Sequence, residues 1–169
     1  MLTASIKTST QFNQKTKNKI LILKLFIISL LTIWIGGFLI SFIIDIQNPL
    51  LSYLINKIYS TVCHQENIKC ISYQGHQMFV CARCSGTYFG ASIAAIVELR
   101  YIFPELPLKV LFASIIPLLV DVVLSTVKVY GYSQVLAFLT GIILGFVVYL
   151  FIIKELENFA LTNRKSFNE

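Results

Sequence analysis

The sequence predicts an all-α, polytopic membrane protein with four transmembrane helices and a short interfacial helix. Three observations point there. The first is composition: 56% of the 169 residues are hydrophobic and 13% charged, against about a quarter charged in ordinary soluble domains. The second is four stretches near the roughly 20 apolar residues that a spanning helix needs. The third is an uneven distribution of basic residues along the chain. This composition excludes disorder, which requires low hydrophobicity. It also gives the net charge of +6 a role in membrane topology rather than nucleic-acid binding.

Residues 1–19 are polar and rich in Ser, Thr and Lys, and read as a flexible tail. The first span covers about 20–44, interrupted near its start by Lys24. Its apolar run exceeds the about 7–15 residues of a signal-peptide core, and no small-residue cleavage site follows, so it reads as a permanent anchor. Residues 45–80 form the longest connection. Within it, Leu50, Leu51, Leu54, Ile55 and Ile58 recur at helical spacing after Pro49. That pattern suggests an interfacial amphipathic helix delivering Cys63 and His64 to the membrane surface.

The second span, about 81–103, contains Arg83 and Glu98 near its ends. Glu98 and Arg100 read as interfacial and solvated. The third, about 107–127, contains Pro117 and Asp121, and the fourth covers 133–153. Residues 154–169 form a charged tail, leaving 20–153 as one membrane domain. With a cytoplasmic N-terminus, ten basic residues face the cytoplasm and four the other side. The positive-inside rule therefore predicts a multi-pass protein of the cell membrane with both termini cytoplasmic and the 45–80 loop outside. Expected partners are the lipid bilayer and no nucleic acid.

All four cysteines and both histidines fall between Cys63 and Cys84: Cys63, His64, Cys70, His76, Cys81 and Cys84. Cys81-Ala82-Arg83-Cys84 is a CxxC. Three chemistries compete. Zinc takes four soft or borderline ligands, and CxxC is a common half-site. Cys63, Cys81 and Cys84 with His64, or with His76 in its place, would complete a tetrahedron. Alternatively, a CxxC at a helix N-terminus beside Arg83 favours thiolates and disulfide exchange. Cys63 would then resolve and a quinone would accept electrons. Third, the cysteines could simply staple the loop.

The run Cys63-His64-Gln65, then Lys69-Cys70-Ile71, Gly75, and Cys81-Ala82-Arg83-Cys84-Ser85-Gly86-Thr87-Tyr88-Phe89-Gly90 resembles an uncharacterised family of small prokaryotic membrane proteins. The signature of that family is CHQ, an RSF-like triplet, a glycine, then CARC(T/S)GxYxG. Downstream, Asp121 and the segment Ser133 to Gly141, followed by Gly145, are similar to later family patterns. The chain departs from them with Cys70 for serine, Phe79 for proline, Val122 for glycine, Gln134 for asparagine and Ala137 for arginine. Cys70 is thus an extra thiol and the least expected to be essential. The resemblance implies membership and carries no activity.

Asp121 is the one acidic residue deep in an apolar span, and such charges are paired or functional by default. It is expected at the depth of the CxxC and directed at Arg83 or at a metal, making Asp121 and Arg83 the candidate catalytic pair. A transporter or assembly factor using Asp121 as an ion site is a further alternative. Gly86 with Gly90, and Gly141 with Gly145, form small-xxx-small faces for close helix packing.

Overall fold

The computed structural model describes residues 2–43, 49–73, 76–101, 103–104, 106–128 and 131–165. Five helices and a hairpin follow in order: α1 (Leu2–Ile43), α2 (Pro49–Ser60), β1 (Cys70–Tyr73), β2 (His76–Cys81), α3 (Ala82–Arg100), α4 (Leu108–Thr126) and α5 (Gln134–Lys165). Among the described residues three helical stretches are long and apolar enough to cross a membrane: Asn18–Ile40, Leu108–Thr126 and Gln134–Asn158. Their outer faces are exposed and apolar, with Ile33 at 72% and Phe112 at 60%. Faces of that kind suit lipid. α3 is less apolar because it carries Arg83, Glu98, Arg100 and several hydroxyl side chains. α1 starts at Leu2, so the helix extends well before the apolar run that begins near Ile20.

The all-α expectation needs one correction: a two-stranded antiparallel hairpin sits inside the long connection, pairing Cys70 with Cys81, Ser72 with Gln77 and Tyr73 with His76. Its cause is local. Met78 and Val80 alternate with less buried neighbours along β2, the period-2 pattern of a half-buried strand. Gln74 and Gly75, including the family glycine, lie outside the described residues.

α3 and α5 form the tight core of the bundle. A Cβ at Gly86 would overlap the carbonyl oxygen of Phe138, and one at Gly90 that of Ile142. Reciprocally, Gly141 faces the Arg83 carbonyl and Gly145 the Thr87 carbonyl. Both glycine pairs therefore serve close backbone approach, as their spacing predicts. Gly145→Ala is expected to destabilise the detergent-solubilised chain by about 1–3 kcal/mol, the usual cost of overpacking. Gly36→Ala, at a position with nothing within 4 Å of the added carbon, should leave the thermal midpoint unchanged or raise it, since alanine favours helix.

Two apolar clusters lie along the bundle. Ala94, Ala95, Tyr149, Leu150 and Ile153 form one. The other gathers Ile35, Phe38, Tyr59, Cys63, Met78 and Val80, with Trp34, Tyr88 and Phe89 against it. At the end away from the hairpin, Glu98 is 4% exposed. It is therefore not solvated as its sequence position suggests. Lys24 from α1 and Lys154 from α5 approach its Oε1 at 3.3 and 3.5 Å, and both also pair with Glu157 at 2.6 and 3.0 Å. Two cations matched by two carboxylates explain how these charges tolerate burial.

Candidate metal centre

Cys63, Cys81 and Cys84 come from two segments that the chain brings together in stages. Tyr59, near the end of α2, donates its hydroxyl to the Trp34 carbonyl of α1 at 2.9 Å. Gly37 makes room, since a Cβ there would overlap the Tyr59 hydroxyl. The backbone N–H of Cys63 then bonds the Tyr59 carbonyl at 3.0 Å. α2 thus delivers Cys63 from an anchored turn, as the amphipathic pattern predicts. Gln65 follows with a φ of 50°. Its side-chain amide donates to the Phe79 carbonyl at 2.8 Å and the Asn56 carbonyl at 3.2 Å, clamping the Cys63 loop between α2 and β2.

The hairpin supplies the other half. β2 ends at Cys81, which is also the N-cap of α3, and Cys84 lies in the first turn of that helix. The ligand atoms of Cys63, Cys81 and Cys84 all lie within 4.8 Å of one another. All four cysteines are free thiols. The Cys81 backbone N–H donates to the Cys63 sulfur at 3.2 Å. Hydrogen bonds from the Cys81 and Cys84 thiols, aided by the backbone of Cys81 and Gln65, hold the Cys63 thiol well below its ordinary range.

The histidines take other places. His64 follows Cys63 and is exposed. His76 starts β2 and pairs with Tyr73. The five steps to Cys81 put it about 17 Å along the strand, at about 3.3 Å per residue. Neither joins the three-thiol group.

Arg83 and Asp121 meet as expected from the sequence. The guanidinium Nη2 donates to Asp121 Oδ2 at 2.6 Å, with side-chain exposures of 21% and 2%. The Arg83 guanidinium also lies over the Tyr132 ring, 5.9 Å from its centroid, a cation–π distance. Tyr132 links this pair to the thiols: its phenol lies within electrostatic reach of Arg83, Cys81, Asp121 and Cys70, and burial pushes it up to about 12. Gln134 at the start of α5 donates to the Cys70 carbonyl at 2.9 Å, tying the hairpin to the helix that packs on α3.

Tyr59, Gln65, Tyr132 and Gln134 are site-building residues that sequence reasoning missed. The signal at Gln65 was its place in Cys63-His64-Gln65. The signal at Tyr59 was its i−4 position relative to Cys63. Tyr132 and Gln134 had none beyond proximity to the fourth span.

Cys70 is 1% exposed. Burial first, and then the charges of Cys63 and Cys81, push its thiol up to about 11. Thiolate is the reactive form. Cys70 in the native, metal-free chain is therefore expected to alkylate at pH 7.5 at least about tenfold more slowly than in the unfolded chain, with the rate rising as pH approaches 11. Iodoacetamide labelling read by peptide mass checks this.

A family model described as "Predicted membrane protein (DUF2085)" matches residues 63–151. The chain is 33% identical over 110 residues, 61% of its length and 69% of the relative's, to "Uncharacterized protein MJ1492" of Methanocaldococcus jannaschii. No solved structure matches. The family match begins at Cys63 and takes in the thiol triad, Arg83, Asp121 and the glycine interface.

Proposed function

The chain belongs to the DUF2085 family of predicted membrane proteins, and from that premise we propose that it holds a metal ion, zinc by the chemistry of its donors, at the N-terminus of α3. The observation that carries this reading is the convergence of three free thiols from two segments 18 residues apart onto one point. A tetrahedral zinc with bonds of about 2.3 Å holds its sulfurs about 3.8 Å apart. A triangle with no side beyond 4.8 Å closes on such an ion by about an ångström of side-chain adjustment. The N–H bond to the Cys63 sulfur favours thiolate, which is the ligating form.

Three protein ligands leave a fourth position for His64, which neighbours Cys63, or for water or a substrate atom. His76 would reach it only by refolding of the hairpin. A metal held this way polarises a carbonyl or lowers the pKa of a bound water. Arg83 and Asp121 act as positioning residues: their pair fixes the turn that carries Cys81 and Cys84 against α4. Asp121 is the acceptor for any proton released nearby. α3 serves as a fourth span shielded by α5, with both termini cytoplasmic and the thiols on the opposite face.

The free, adjacent Cys81 and Cys84 also favour a second reading, disulfide exchange with a quinone as electron acceptor. Cobalt(II) separates the two. Added to the reduced, detergent-purified chain, it is expected to give thiolate-to-cobalt charge transfer and the intense visible bands of a tetrahedral ion, both lost in Cys63→Ser. A weak, oxygen-ligated cobalt spectrum overturns the metal reading.

A further inference from the structure

Cys70 is the thiol that the three-thiol group does not use, and its placement gives it a partner. It is the Cα partner of Cys81 in the antiparallel hairpin, just beyond a register shift that falls between Cys70 and Ser72. Directly opposed residues project to the same face of a sheet. The backbone groups of the pair also reach partners outside the hairpin. The Cys70 N–H goes to the Glu66 carbonyl at 3.1 Å, and the Cys70 carbonyl accepts from Gln134 at 2.9 Å. The Cys81 N–H goes to the Cys63 sulfur at 3.2 Å. Partnered residues of antiparallel strands have Cα atoms about 4.5–5.5 Å apart. Disulfides accept Cα separations of about 4.4–6.8 Å. The usual spacing of ladder partners therefore suits a Cys70–Cys81 bridge.

We infer that Cys70 and Cys81 form a disulfide under oxidising conditions, and that this bridge withdraws Cys81 from the three-thiol group and releases its metal. The release rests on the metal reading above; the bridge does not. The oxidant is a low-molecular-weight disulfide of the glutathione class. The Cys81 thiolate attacks one of its sulfurs and expels one thiol, giving a mixed disulfide. The Cys70 sulfur then displaces the second thiol and loses its proton to water. One external disulfide becomes two thiols, and two cysteine thiols become one cystine. The half-exposed Cys81 meets the reagent first, and the buried Cys70 resolves.

The test uses the full chain in detergent, reduced and loaded with zinc, then exposed to oxidised glutathione. Zinc release is followed with a chromogenic chelator, and disulfides are assigned by peptide mass. The expected result is zinc release accompanied by a 70–81 bridge, slowed at least about fivefold in Cys70→Ser, where the mixed disulfide has no resolving thiol opposite it. Equal release rates in the two proteins, or peptide maps containing only bridges among Cys63, Cys81 and Cys84, overturn the inference. If the reduced chain takes up no zinc, the metal reading fails by itself, and the peptide map still decides the bridge. Circular dichroism of Cys70→Ser confirms that the comparison is made on folded protein.

Discussion

Cys84→Ser and Cys81→Ser are each expected to strip the metal from the purified chain, while Cys70→Ser retains it. Loss of an outer hydrogen-bonding partner of a metal ligand costs about 10–100-fold in affinity. Removing one of three sulfurs from the ion itself must exceed that. Serine is close to cysteine in size and its hydroxyl can hydrogen-bond, so at these two positions the fold should survive. Cys84 is partly exposed and Cys81 caps α3 without a side-chain cap hydrogen bond. Cys70 lies outside the convergent group, so its serine variant serves as the internal control. Zinc-competition titration with a chelator of known affinity measures all three. Equal affinity in Cys84→Ser and the unaltered chain would place the metal, if any, elsewhere.

The second large effect is expected at Asp121. Its carboxylate is 2% exposed and meets Arg83 at 2.6 Å. Asp121→Asn leaves a guanidinium without its counter-charge, and breaking a buried pair costs about 3–5 kcal/mol. The 21% exposure of Arg83 places the loss toward the lower end of that range. Replacing both partners removes the uncompensated charge, so Arg83→Met with Asp121→Leu should recover much of the stability that the single change loses. Chemical unfolding in detergent compares the three. Metal affinity then separates the roles. If the pair only positions the CxxC turn, the double variant regains metal along with stability. If it regains stability but not metal, Asp121 or Arg83 acts on the bound ion directly.

Much of this arrangement is legible in the amino-acid sequence. Hydropathy located the apolar helices because a membrane demands long uninterrupted runs, and Leu108–Thr126 falls almost on the expected third span. The glycine pairs were readable because their four-residue spacing has one main structural use. The Arg83–Asp121 pair followed from depth arithmetic: a buried charge needs a partner, and few were at hand. The hairpin escaped notice because six half-buried residues carry a weak signal beside a 20-residue apolar run. Glu98 was misjudged for a different reason. Its burial depends on Lys24, Lys154 and Glu157 from two other helices, and no local pattern reveals a charge matched across the bundle. His64 and His76 looked equivalent to the cysteines by clustering alone. The strand register separates them, putting His76 at the far end of β2. The clamps by Gln65 and Gln134 depend on side-chain amides reaching backbone carbonyls far away in sequence, which composition does not encode.

The proposal that three converging thiols bind an ion is the central claim. The most direct measurement is metal content per chain, by elemental analysis of protein purified in detergent without chelators or affinity metals, with free thiols titrated on the same sample before and after metal removal. About one zinc per chain is expected, as three thiolate ligands hold the ion through purification. Cys63, Cys81 and Cys84 should react more slowly while the metal is bound than after its removal, when all four thiols titrate. Metal-free protein in which Cys63, Cys81 or Cys84 is already oxidised would contradict the account and leave disulfide exchange as the chemistry of this site.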